Sequence, residues 1–80
     1  MPVVFRSGGF RFFFYSNEGR PSEAPHIHVE QGENGAKFWL RPAVSLAYND
    51  GFNAKALREL INLVEANREL IETAWNDFFG

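Results

Sequence analysis

The spacing of apolar residues changes once along this chain, close to Asn53. Before that point, apolar and polar residues alternate in short runs separated by glycine and proline, as expected of β-strands. After it, apolar residues recur at intervals of three and four, as on one face of a helix: Leu57, Leu60, Ile61 and Val64. Strands followed by helix predict an α+β fold with an antiparallel sheet.

Turn-forming residues divide the first half of the chain into strands. Gly8-Gly9 joins two apolar runs and predicts a tight hairpin, whereas the segment 16–25, with two prolines and a glycine, predicts a loop. The strands are expected at residues 2–7, 10–15, 26–30 and 36–40, with 44–48 as a fifth, short strand.

The C-terminal pattern predicts either one helix over residues 54–78 or two helices that meet near Asn67. Two segments or a kink are favoured, and Asn53 is placed to cap the first turn. The expected fold is therefore α+β, an antiparallel sheet of four to five strands packed on one face by a C-terminal helix that is kinked or split near Asn67.

Size and composition limit what the chain can be. Its 80 residues are enough for a single domain over 1–80, and nine phenylalanines offset the small core, because each buried aromatic ring removes roughly 150–250 Å² from water. The absence of cysteine excludes disulfides and thiolate metal sites. No signal-peptide pattern or membrane-spanning apolar run is found, so we expect a cytoplasmic protein with no membrane partner.

Alternation along the strands sorts the side chains onto two faces of the sheet. One face is apolar throughout and can accept the helix: Phe10, Phe12, Phe14, Ile27, Val29, Phe38 and Leu40. The other face gathers polar, charged and aromatic residues: Arg11, Tyr15, His26, His28, Glu30, Lys37 and Trp39. This division assumes regular strands, since a bulge would exchange the faces.

His26 and His28 lie two residues apart on one strand and therefore project to the same side. In a first interpretation they bind a divalent metal together with Glu30, because two imidazoles and a carboxylate suit Zn or Fe(II). Three ligands from one flat strand diverge, however, and the chain has no further histidine. Apart from such a metal, no cofactor is expected.

In a second interpretation this face acts on RNA. One of the two histidines would serve as general acid or base toward a 2′-hydroxyl, because imidazole titrates near neutral pH. Arg11 and Lys37 would hold the phosphate, and Tyr15 and Trp39 would stack on bases.

In a third interpretation the histidines are structural, on a half-exposed strand, with hydrogen bonds to Glu30 or the backbone. This is the default, because a His-x-His pattern without structural context is only a hypothesis. The net charge of −2 does not favour a general nucleic-acid coat protein, but it leaves room for a local basic patch.

Several separate motifs resemble the small bacterial family described as domain of unknown function 4160. The resemblance lies in residues 6–18 (RSGGFRFFFYSNE), 25–29 (PHIHV), 36–40 (AKFWL) and 49–52 (NDGF), followed by a leucine-rich helix that ends near Trp75 and Phe78. It covers essentially the whole chain. The family carries no established catalytic set, so the resemblance assigns no residue roles.

The resemblance implies a cellular setting. Members of the family are commonly encoded beside another small protein, which is the arrangement of a toxin–antitoxin pair. The leading hypothesis is a component of such a pair that cleaves or binds RNA, and whether it is an enzyme of ribonuclease type stays open. The alternatives are a non-enzymatic interaction or regulatory module, which binds the neighbouring gene product or a second copy of the chain, and a small metal-binding protein.

Overall fold

A computed structural model of the protein describes residues 2–17 and 23–80. Five strands precede two helices: β1 (Val3–Ser7), β2 (Phe10–Phe13), β3 (His26–Gln31), β4 (Asn34–Trp39), β5 (Ser45–Asp50), α1 (Ala54–Ala66) and α2 (Arg68–Phe79). The α+β fold predicted from the sequence is confirmed. Residues 18–22 of the expected loop lie outside the described residues.

The strands form one antiparallel sheet in the order β1-β2-β3-β4-β5, so that each pairs with its neighbour in sequence. The predicted hairpin joins β1 and β2, and both its glycines have left-handed backbones, with φ of 57° at Gly8 and 84° at Gly9. A two-residue turn of this kind matches the twist of the paired strands. The fifth strand is present and continues to Asp50.

The assumption of regular strands fails at both edges of the sheet. The pairing shifts by one residue between Val3 and Phe5 on β1, and again between Lys37 and Phe38 where β4 meets β5. The pairings of β2 with β3 and of β3 with β4 are regular. The predicted division into two faces therefore holds on the three central strands.

Asn67 interrupts the C-terminal helix, as the sequence pattern predicts. Its backbone leaves the helical region at φ −109° and ψ 16°, and its side-chain Nδ2 donates to the Leu63 carbonyl at 2.8 Å. A side-chain amide that bonds to a nearby carbonyl competes with the helical pattern. Helix α1 therefore ends at Ala66 and α2 begins at Arg68.

The predicted apolar face forms the core. All seven of its residues are buried, and the helices cover them with Leu60, Val64, Ile71 and Trp75. Neither helix in the described part of the chain is long and apolar enough to cross a membrane.

Candidate functional site

The sheet face opposite the helices, here called the outer face, carries a row of side chains that crosses four strands. Direct pairing places Phe13 of β2 beside His28 of β3, His28 beside Lys37 of β4, and Lys37 beside Tyr48 of β5. Residues paired in this way point to the same side of an antiparallel sheet, with Cβ atoms about 4.5–5.5 Å apart. We call these four residues the central row.

His28 lies at the middle of the central row and is enclosed by aromatic rings. Its ring is 5% exposed. The Phe13 ring stacks on it at 5.6 Å, and the Tyr15 ring approaches edge-on at 4.6 Å. The Tyr48 hydroxyl lies 3.4 Å from Nδ1 of His28. The two tyrosines are themselves open to solvent, with 40% of Tyr15 and 49% of Tyr48 exposed.

His26 has a different environment from His28. It is 0% exposed, and Nδ1 donates to the Ala24 carbonyl at 2.9 Å. Its ring lies 5.5 Å from that of Trp39 and 4.8 Å from that of Trp75 on α2. The half-exposed strand expected around both histidines is therefore wrong: His28 is enclosed by aromatic rings of the sheet face, and α2 brings Trp75 against His26.

The two cations predicted to hold phosphate each lie over an aromatic ring and beside a carboxylate. Arg11 pairs with Glu30 and lies 4.6 Å from the centre of the Phe13 ring. Lys37 Nζ lies 3.1 Å from Glu23 and 4.3 Å from the centre of the Trp39 ring. These contacts fix both cations on the outer face, on either side of His28.

The three residues of the predicted metal site do not come together. Among residues 2–17 and 23–80, no group of three or more His, Cys, Asp and Glu side chains is arranged to hold a metal ion. Instead, Glu30 pairs with Arg11, while His26 bonds to the backbone. Metal binding by His26, His28 and Glu30 stays a prediction without a preformed cluster in this part of the chain.

Comparison with known families agrees with the resemblance noted from the motifs. The family model described as domain of unknown function, DUF4160, matches residues 9–76 of the 80-residue chain. The chain belongs to the DUF4160 family. No curated protein matches it, and no solved structure matches it.

Two members of the outer face of this DUF4160 chain, Tyr48 and Arg6, were not predicted from the sequence. Strand alternation puts Phe13 on the side of Arg11 and Tyr15, but it assigns Phe13 no role, although Phe13 stacks on His28. Tyr48 could have been placed by pairing β5 with β4. Arg6 could have been placed from the Gly8-Gly9 turn, because a two-residue turn sets Arg6 directly opposite Arg11.

Proposed function

We propose that this DUF4160 protein binds single-stranded RNA on the outer face of its sheet. The observation that carries the proposal is the pair of exposed tyrosine rings, Tyr15 and Tyr48, beside two cations around His28. Single-stranded nucleic acids bind to surfaces that combine aromatic rings for base stacking with positive charges for the backbone.

The cations can exchange their present partners for phosphate. The Arg11–Glu30 and Lys37–Glu23 pairs lie near the surface, and the two carboxylates are about one-third exposed. Ion pairs between solvent-exposed side chains contribute only about 0–1 kcal/mol to stability, and in both of these pairs the carboxylate is the more exposed partner. A phosphate oxygen that replaces either carboxylate takes over its contact with the cation, and the released carboxylate can turn to water.

His28 is the histidine that we assign to any acid–base step. Its ring is enclosed but lies between two exposed tyrosines, and Lys37 is paired with it on β4. A general base must lie within hydrogen-bond reach of the proton it removes. His26, which is fully enclosed and bonded to the backbone, is assigned a structural role.

Binding is tested by fluorescence anisotropy with a labelled RNA oligonucleotide at low salt. Stacking contributes about 1–3 kcal/mol per base, so Tyr48→Ala is expected to weaken binding about 5- to 150-fold. Phe78→Ala is the matched control, because Phe78 is an equally exposed aromatic residue on α2. Absence of binding at about 100 μM, the weak end of non-specific affinity, would contradict the proposal.

The cellular form of the proposal is a toxin–antitoxin-like pair in which this chain acts on RNA. Induced expression without the neighbouring gene is then expected to slow growth, and His28→Ala is expected to restore it at an equal level of soluble protein. Normal growth when the wild-type protein is expressed would contradict the toxin role. It would not contradict RNA binding, which the anisotropy measurement tests separately.

A second function, partner binding, is favoured by a separate apolar groove. The groove has a volume of about 370 Å³ and lies between the edge strand β1 and helix α2, where Val3, Leu70 and Phe78 are exposed. An extended apolar segment of a partner protein can add to the edge strand of a sheet. Co-purification with the neighbouring gene product that is lost in Leu70→Glu would support this function, and equal recovery with both proteins would oppose it.

A further inference from the structure

The β1–β2 hairpin sets two arginines side by side at one end of the outer face. Arg6 and Arg11 are direct partners across the two strands, so their side chains leave the same face. The Gly8-Gly9 turn fixes this register, because both glycines hold left-handed backbones that other residues rarely adopt. The two-residue turn is therefore sufficient to place Arg6 opposite Arg11.

The charges of this hairpin are incompletely balanced. Glu30 pairs with Arg11, and within the described ranges no carboxylate forms an ion pair with Arg6. Asp50 is in the same cross-strand row but four strand spacings from Arg6, roughly 19 Å at the usual distance between strands. Solvent ions screen a charge at that distance. The cross-strand row therefore has two adjacent guanidinium groups and one nearby anion, Glu30, and a second carboxylate, that of Glu59, approaches the turn at Gly8.

The two arginines line a groove at the tip of the hairpin. Its volume is about 310 Å³, and its walls are Arg6, Ser7, Gly8, Gly9, Phe10 and Arg11. Arg11 lies over the Phe13 ring and beside the exchangeable partner Glu30, whereas Arg6 is exposed to solvent. Glu59 of α1, which packs on the other side of the sheet, brings its carboxylate near Gly8. One acidic side chain therefore lies beside the turn end of the groove, whereas Glu30 pairs with the guanidinium of Arg11.

We propose that this groove is a phosphate-binding site in which Arg6 makes the principal contact and Arg11, which lies over the Phe13 ring, provides a second guanidinium. A guanidinium fork matches the oxygens of a phosphate group and can bind two of them at once. The phosphate belongs either to the backbone of an RNA bound on the outer face or to free phosphate. Binding of an RNA phosphate in this groove rests on the function proposed above, whereas binding of free phosphate does not.

The first arm of the test measures how RNA binding depends on salt, using the same labelled oligonucleotide. Each phosphate contact on a single strand contributes about 0.7 to the slope of log K against log salt concentration. Arg6→Gln is expected to make the salt dependence weaker, with a slope smaller in magnitude by about 0.7. Arg6→Lys keeps the positive charge and is expected to retain the wild-type slope. Arg58→Gln, an exposed arginine on α1, is the control and leaves the slope unchanged.

The second arm uses inorganic phosphate and pyrophosphate alone. Both are titrated into ¹⁵N-labelled protein while the amide resonances of Gly8 and Gly9 are followed by NMR. Saturable shifts in wild type that disappear in Arg6→Gln support the site even when RNA does not bind, in which case only the RNA function fails. An unchanged salt slope in Arg6→Gln together with no saturable shifts overturns the site, while RNA binding by wild type stands.

Discussion

His26 combines a polar side chain with complete burial, and its contacts explain how. The Ala24 carbonyl satisfies Nδ1, and the rings of Trp39, Trp75 and His28 surround the imidazole. A buried polar group is tolerated where it is hydrogen-bonded. His26 therefore joins the start of β3 to helix α2.

Removal of the His26 ring is expected to destabilise the fold. His26→Ala leaves a cavity and deprives the Ala24 carbonyl of its donor, so the free energy of unfolding should fall by about 2–4 kcal/mol in urea denaturation. Tyr48→Ala, at an exposed site on the same face, should cost less than about 1 kcal/mol. Equal effects of the two substitutions would contradict the structural role of His26.

Gly51 is required by the turn before α1. Its φ is 104°, and a Cβ there would clash with Oδ1 of Asn34. Gly51→Ala should lower the melting temperature more than Gly32→Ala, because a Cβ at Gly32 meets no atom within 4 Å and its φ is 59°. A second substitution, Asn34→Ala, should relieve the clash with the new Cβ but not the backbone strain, so it should recover only part of the lost melting temperature. A larger effect at Gly32 would contradict this explanation.

At the scale of elements, α1 begins where the sequence places a cap. Oδ1 of Asn53 accepts a hydrogen bond from the backbone N–H of Ala56 at 2.8 Å. Asn53→Ala should therefore cost about 1 kcal/mol of unfolding free energy, measured by thermal or urea denaturation. Asn62→Ala is the control, because Asn62 is exposed in the middle of α1, where alanine is the better helix former. If Asn62→Ala destabilised the protein and Asn53→Ala did not, the capping role of Asn53 would be contradicted.

Elements with local causes could be predicted, and those that depend on distant contacts could not. The Gly8-Gly9 turn, the cap at Asn53 and the interruption at Asn67 all follow from a few neighbouring residues. The two bulges arise on the edge strands, where the pairing shifts against the neighbouring strand, and the sequence pattern contains no signal for them.

At the scale of the whole molecule, the same contrast separates the two histidines. Strand alternation was sufficient to place His28 and Lys37 on the same face, where the structure pairs them directly. It could not show that His26 is enclosed, because Trp75, which packs against it from α2, lies 49 residues later in the chain. The location of the candidate site was therefore predictable from periodicity, but the different environments of its two imidazoles required the packed structure.

The central claim, that RNA binds the outer face, is tested most directly by mapping amide shifts in ¹⁵N-labelled protein as a single-stranded RNA is added. We expect the largest shifts along the central row, at Phe13, His28, Lys37 and Tyr48, with little change on the exposed side of α2. Shifts confined to the groove around Leu70 and Phe78, or no shifts at all, would contradict the claim.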